Sequence, residues 1–429
     1  MTTVSMRFIS LCISSLFVAD ALASSLARAS FKPTHRSVQA NHARRSALTK
    51  RDASPLCSST APVKPKMFII SMVEPTFEHV QVLTLTLHQF SSEADIWYED
   101  TTLNLYANNM TVPGFSSLFP DAHCTASGEV CQMTTGEGEI NAAGSVLALW
   151  LSGCFDLTST YFMIAGISGG NPHRVTTGSV TFARYAVQVG LQEEFDHSQT
   201  PSNATSGYYP QGAYYPDEAS SEDYPGSLYG TEVYEVNENL RDRAYYLASL
   251  ATLNDTDAAM SYRAKYGYSP ANQPPSVVKC DSATSDQYWS GSVLGDAFGN
   301  YTSLLTNGSG IYCGTQQEDN ATLESLLRGA ILGKLDYSRI IIMRTISDFD
   351  RAPPGETEVY HLLYAEQEGF VPSIQNIHNA GIEIVKDVMM YWNGTYDKGL
   401  TPGNYIGDVF NSLPGPISPD IGNEANYIN

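Results

Sequence analysis

The chain has 429 residues, enough to bury a large core in one or two domains, and a formal net charge of −21 from 24 Lys and Arg against 45 Asp and Glu. Eight of the basic residues and one acidic residue, Asp20, fall within the first 51 positions, so the remainder carries 16 basic against 44 acidic side chains. Such a surface repels phosphate backbones and anionic lipid, which excludes nucleic acid as a partner and leaves neutral small molecules unaffected.

The first 51 residues read as processing segments. Arg7 leads into the apolar run Phe8–Ala19, and Ala21-Leu22-Ala23 supplies small residues for cleavage, the pattern of a secretory signal peptide over 1–23. A basic pro-segment over 24–51 ends at Lys50-Arg51, so the mature chain is expected to begin near Asp52, with a linker over 52–66, one domain over 67–415 and a tail over 416–429. Seven Asn-X-Ser/Thr acceptors, at Asn109, Asn203, Asn254, Asn300, Asn307, Asn320 and Asn393, agree with a secreted or wall-associated glycoprotein. Without Cys12 of the signal, six cysteines remain. Cys124 and Cys131 enclose a short turn-rich loop and Cys280 and Cys313 flank a helical segment, so both pairs are expected as disulfides, whereas Cys57 and Cys154 pair or stay free. No cysteine–histidine spacing resembles a zinc site, and neither metal nor cofactor is expected. After the signal, no apolar run approaches the roughly 20 residues of a membrane helix.

From Met67 onward, strand-like and helix-like segments alternate. Met67–Met72 reads as an apolar strand and Thr76–Phe90 as a helix behind it. Val130–Thr134 is a second strand, and Gly136-Glu137-Gly138 then opens a helix over Glu139–Leu151 with Ile140, Ala143, Leu147 and Leu151 on one face. Tyr161–Ala165 is a strand and Gly178–Val189 a long strand or hairpin arm, while the Tyr-, Pro- and Gly-rich residues 202–230 read as a surface excursion. Helices are expected over 237–251, 284–305 and 319–333, the last with Leu323, Leu326, Leu327, Ala330 and Ile331 at helical spacing, and again over 373–391. Ile340-Ile341-Ile342-Met343 is a continuous apolar run, as expected for a strand covered on both faces, and it leads into Ser347 and Asp348. Ligands of open α/β sheets bind beyond such strand ends, which makes Asp348 the first catalytic candidate; a turn-capping Asp is the competing explanation.

Gly166–Gly170 formally match Gly-x-Ser-x-Gly, with Ser168 as nucleophile and Asp348 and His378 following in hydrolase order, a distant serine-hydrolase alternative. A nucleophile elbow feeds directly into a helix, however, and here Asn171-Pro172 intervenes before Thr176-Thr177-Gly178 opens a strand. A glycine-rich strand end also lets backbone approach a flat or polar ligand closely.

Thr135–Ala143, Ala165–Gly170, Gly178-Ser179-Val180 leading to Ala183-Arg184-Tyr185, Glu318–Thr322 and Arg344-Thr345-Ile346-Ser347-Asp348 resemble, in order and spacing, successive motifs of the nucleoside phosphorylase and nucleosidase superfamily. With Ile69–Met72, Glu74-Pro75, Tyr405–Asp408 and the cysteine pairs, nearly the whole mature chain resembles the fungal purine nucleoside permeases. The resemblance implies an α/β fold, a three-layer α/β/α sandwich around a mixed central sheet, nucleoside phosphorylase-like, with a purine nucleoside at its carboxyl edge. It implies that Asp348 protonates the purine N7 with Ser347 orienting it, and that Gly166, Ser168, Glu318, Asp319, Asn320 and Arg344 bind substrate. The superfamily's ribose-binding Glu falls on Asn320, which is also a glycosylation acceptor; a buried, unglycosylated Asn320 is expected, with Glu318 as ribose ligand. Where the superfamily's phosphorylases place an Arg, this chain has Ile164, so water is favoured over phosphate as nucleophile, activated by Glu74 or next by Glu78. The rival reading is nucleoside capture for uptake, which needs a membrane transporter partner because the chain offers no span of its own. A homo-oligomer is compatible with either.

Overall fold

The computed structural model describes residues 54–72, 92–200, 206–212 and 227–421. The signal and pro-segments, the helix expected over Thr76–Phe90, and the carboxylates Glu74 and Glu78 lie outside them. In chain order the elements are β1 (Met67–Ser71), α1 (Ser92–Tyr98), β2 (Asn108–Thr111), β3 (Asp121–Cys124), β4 (Val130–Thr134), α2 (Glu139–Leu151), β5 (Tyr161–Gly170), β6 (Val180–Ala183), β7 (Tyr185–Gln188), β8 (Val233–Glu235), α3 (Glu238–Ala248), α4 (Asp257–Arg263), β9 (Val277–Lys279), β10 (Asp281–Thr284), α5 (Ser292–Leu305), β11 (Tyr312–Gln316), α6 (Asp319–Ile331), β12 (Ile340–Phe349), α7 (Glu358–Tyr364), α8 (Phe370–Met390) and β13 (Gly407–Asp408).

The central strands have no polar face because both of their faces are covered. Successive residues of β1, β5 and β12 alternate between two cores. Phe68, Ile70, Phe162, Ile164, Ile340 and Ile342 meet Val146 and Leu149 of α2 and Leu323 and Leu326 of α6. Met67, Ile69, Met163, Ile341 and Met343 meet Trp97 of α1, Leu240 of α3 and Ile377 and Val385 of α8. Each such side chain contributes roughly 1.5–3 kcal/mol on full burial, so this double alternation fixes the strand register. The result is the expected three-layer arrangement around a mixed sheet.

β5 is the hub of that sheet. It runs parallel to β1 over Tyr161–Ile164 and parallel to β12 over almost its full length, and at its tip Gly169 and Gly170 pair antiparallel with β11. β6 and β7 are one extended segment bent at Arg184, β6 pairing with β12 and β7 with β10, which in turn pairs with β11. The pairings therefore close a ring, β5–β12–β6/β7–β10–β11–β5, and bring the ends of β5, β11 and β12 together.

Several elements differ from the sequence expectation. α2 buries Ala142, Ser145, Val146, Leu149 and Trp150, whereas Ile140 is 87% exposed and Leu151 faces solvent. Its orientation is set by anchors that hydrophobic spacing does not register: Ser145 Oγ donates to the Thr135 carbonyl and Trp150 Nε1 to the Ser325 carbonyl. Residues 284–305 are not one helix. β10 ends at Thr284, and Gly291, at φ +136°, turns the chain into α5. β5 continues through the glycines to Gly170 rather than stopping at Ala165. Cys124–Cys131 and Cys280–Cys313 are disulfides as expected, and Cys57–Cys154 forms a third, tying the segment before β1 to the one before β5.

Candidate functional site

A cleft partly open to solvent is lined by the segment after β1, the second halves of β5 and β12, and the end of β11. β12 delivers Asp348 to it through a bulge. Ile346 pairs with Ser168 and Asp348 with Gly169, so Ser347 is an extra residue that re-aims the strand end carrying Asp348. The start of α8 backs this bulge, where Gly369 leaves no space for a Cβ beside the Ser347 carbonyl.

Asp348 is half-buried, and its Oδ1 accepts from Ser347 Oγ at 2.6 Å. Burial pushes its carboxyl above the usual range, and the Ser347 hydrogen bond opposes that only in part. A Cβ on Gly169 would lie 3.3 Å from Asp348 Oδ2, so the bare backbone of the glycine run fits against the acid. Ser168, 4% exposed and lining the cleft, has an Oγ without a hydrogen-bond partner in the protein. A buried hydroxyl left in that state suits a ligand.

Glu93, from the first turn of α1, also lines the cleft. It is 2% exposed, and its two oxygens accept from Met72 N at 2.8 Å and Ile167 N at 2.6 Å. Burial raises its carboxyl from the ordinary 4.5 to about 7 against the lowering effects of Arg344 and those two N–H groups. Gly166 explains how the groups fit together: a Cβ there would meet Arg344 Nη1 at 2.8 Å and Glu93 Oε1 at 2.9 Å. Glu93 is absent from the sequence expectation, because a Glu in the first turn of a short helix carries no signal beyond the preference of helix starts for acids.

Arg344 is the one cation lining the cleft among the described residues, and it is paired with buried carboxylates. Its guanidinium donates to Asp319 Oδ1 at 2.6 Å, Glu318 Oε2 at 3.2 Å and the Ile167 carbonyl at 3.0 Å. Burial disfavours its charge, but Asp319, Glu318 and Glu93 outweigh burial and hold it protonated. Glu318 lines the cleft; its carboxyl is raised by burial, while Arg344 and Gly138 N, which donates to Oε1 at 3.1 Å, act in the other direction.

The sequence candidates thus divide. Ser168, Glu318, Arg344 and Asp348 line one cleft, with Ser347 bonded to Asp348 and Gly166 behind Glu93. Asp319 is fully buried between Arg344 and Ser282. Asn320 is 2% exposed, accepts from Thr284 Oγ1 and donates to the Thr231 carbonyl, so its side chain is structural and has no room for a glycan. His378 faces Asp100 at 2.9 Å, so the serine-hydrolase constellation is not assembled. Trp289, whose Nε1 donates to Thr315 Oγ1, and Tyr288 add an aromatic wall that the sequence reading passes over as helix.

The family model described as purine nucleoside permease matches residues 64–401. The chain belongs to that family. A purine nucleoside permease of Candida albicans is 46% identical over 368 residues, covering 84% of each chain, and a probable purine nucleoside permease of Schizosaccharomyces pombe is 41% identical over 335 residues, covering 77% of this chain and 90% of its own. A solved 5'-methylthioadenosine/S-adenosylhomocysteine nucleosidase from Neisseria meningitidis overlays 75% of this chain and 99% of its own at 14% identity and a TM-score of 0.40, a likeness too loose to carry an argument about this purine nucleoside permease family member.

Proposed function

We propose that this chain binds a purine nucleoside in the cleft and hydrolyses its N-glycosidic bond. Asp348 delivers a proton to the purine N7, so the base leaves neutral rather than anionic as the C1′–N9 bond breaks. The Glu93 carboxylate takes a proton from a water whose oxygen forms the new bond to C1′, giving free purine and ribose. Glu318 accepts from ribose hydroxyls. Three carboxylates around one guanidinium leave excess negative charge beside the ribose, which favours the positive charge developing on the sugar in the transition state.

The observation that carries this reading is a pair of carboxyl groups lining one cleft in different settings, Asp348 bonded to a serine hydroxyl and Glu93 to two N–H groups beside a cation; burial acts to raise both. Water is favoured over phosphate because the cleft offers no uncommitted cation among the described residues. The amides at the start of α2 that would suit an anion are also taken, Gly138 N by Glu318 and Glu139 N by Asp286. Incubation with adenosine, guanosine and inosine is expected to release free base, read by chromatography, without added phosphate. Release that depends on phosphate contradicts the hydrolytic reading.

The names of the relatives favour a second reading, in which the same cleft captures a nucleoside without turnover and passes it to a membrane transporter partner. No helix of the described residues is long and apolar enough to cross a membrane. Binding by calorimetry with no base released supports this second reading. We also place the protein outside the cell, supported by the amino-terminal pattern and by three disulfides of a kind that persists in oxidising compartments. Amino-terminal sequencing of the exported chain is expected to read from near Asp52, and an exported chain that retains Phe8–Ala19 contradicts it.

A further inference from the structure

Gln316, the last residue of β11, is 6% exposed and has every polar atom of its side chain engaged. α6 receives no cap from the side chain of its own N-cap residue, Glu318. Gln316 Oε1 caps it instead, accepting from Glu318 N at 2.6 Å and Asp319 N at 2.8 Å, with Arg344 Nη2 at 3.3 Å. Gln316 Nε2 donates to Ser282 Oγ at 2.9 Å and Thr284 Oγ1 at 2.7 Å, and these hydroxyls donate onward to Asp319 Oδ2 and Asn320 Oδ1. The amide has only one workable orientation, because a reversed one would set its NH2 against two backbone N–H groups. Gln316, Ser282, Asp319 and Arg344 form a closed ring.

We propose that Gln316 is a positioning residue that sets the charge state of Glu93 through Arg344. The inference rests on the hydrolytic reading for its consequence in catalysis and on geometry for its existence. Arg344 Nη1 from β12 and Glu93 Oε1 stand together at Gly166, 2.8 and 2.9 Å from the point a Cβ there would occupy; Glu93 also meets the N–H groups of Met72 and Ile167 and has the Glu318 carboxylate from the start of α6 nearby, and Asp319 is bonded to Arg344. Gln316 fixes the backbone at Glu318 and Asp319, the two carboxylates that hold Arg344 beside Glu93. Without its amide the start of α6 loses its cap and these carboxylates no longer pin the cation. Glu93 then retains its proton to higher pH.

The test is Gln316→Met, which keeps bulk and removes every side-chain hydrogen bond of the amide. Infrared difference spectroscopy follows the protonated carboxyl band of Glu93, identified by its loss in Glu93→Gln, and needs no turnover. The midpoint is expected to rise by about one pH unit above that of the wild type. The ascending limb of kcat/KM against pH should move with it, so activity near pH 7 falls roughly fivefold. A purely structural role would lower activity uniformly and leave both midpoints in place, and that result overturns the proposal. If circular dichroism shows Gln316→Met unfolded, Ser282→Ala, which opens the ring at one hydroxyl, is expected to shift the midpoint in the same direction by less; an unchanged midpoint there also overturns it. If wild-type protein releases no base, the hydrolytic reading fails, while the infrared midpoints still decide the role of Gln316.

Discussion

Replacing Asp348 by Ala is expected to lower kcat/KM for purine release by roughly a hundred- to ten-thousand-fold, the usual contribution of a general acid. β12 aims Asp348 through the Ser347 bulge, and the nearby Asp350 is committed to Tyr312 and Arg351, so among the described residues at this strand end Asp348 is the acid placed to supply the proton. Binding should change far less, since Glu318, Ser168 and the Trp289 wall lie on other segments and are untouched. Steady-state release of base and calorimetric affinity for a nucleoside separate the two effects. Asp348→Asn still accepts from Ser347 Oγ and preserves the shape of the bulge, so it should be nearly as inactive as Asp348→Ala. An Asn variant with wild-type turnover would contradict proton donation at this position.

Glu93→Gln is the second large effect, again a loss of roughly a hundred- to ten-thousand-fold in hydrolysis, because the amide cannot take a proton from water. The pH dependence has a fixed sign. A base must be ionised to act, and burial raises Glu93 to about 7, so wild-type activity should climb with pH through that region and fall again once Asp348 loses the proton it must deliver. Stability should run the other way. Between the ordinary 4.5 and about 7 the folded chain holds a proton at Glu93 that the unfolded chain has released, so this group makes stability fall as pH rises across that window. Glu93→Gln removes that slope. It also turns an NH2 toward Met72 N or Ile167 N, a buried mismatch of about 1–3 kcal/mol, so thermal unfolding across pH must accompany the kinetics. A folded Glu93→Gln variant that hydrolyses at the wild-type rate places the base elsewhere.

The features legible in the sequence are those set by local forces. The apolar run at Ile340–Met343 and the acid at its end can be read because a strand buried on both faces has no room for polar residues. The face of α2 cannot, because Trp150 and Ser145 are oriented by hydrogen bonds to Ser325 and Thr135, partners that are set only by the fold. Three- and four-residue strands such as β8, β9 and β10 lie below the length at which alternation shows. On the resemblance, Asp348, Ser347, Ser168, Glu318 and Arg344 are named together, and the structure brings them to one place. Glu93 escapes that reading because its role is made by long-range contacts, its carboxylate reaching back to Met72 and forward to Ile167. Gln316 escapes for the same reason, since only the fold shows that one amide caps α6 and closes the ring to Arg344.

The most direct measurement is the identity of the sugar product when the purified wild-type protein acts on a purine nucleoside in the presence of inorganic phosphate. Mass spectrometry is expected to find free ribose together with the free purine, with no ribose 1-phosphate, because Arg344 is the cleft's one cation among the described residues and is held by Asp319 and Glu318. Ribose 1-phosphate as the product, or a bound nucleoside that is never cleaved, would contradict the account.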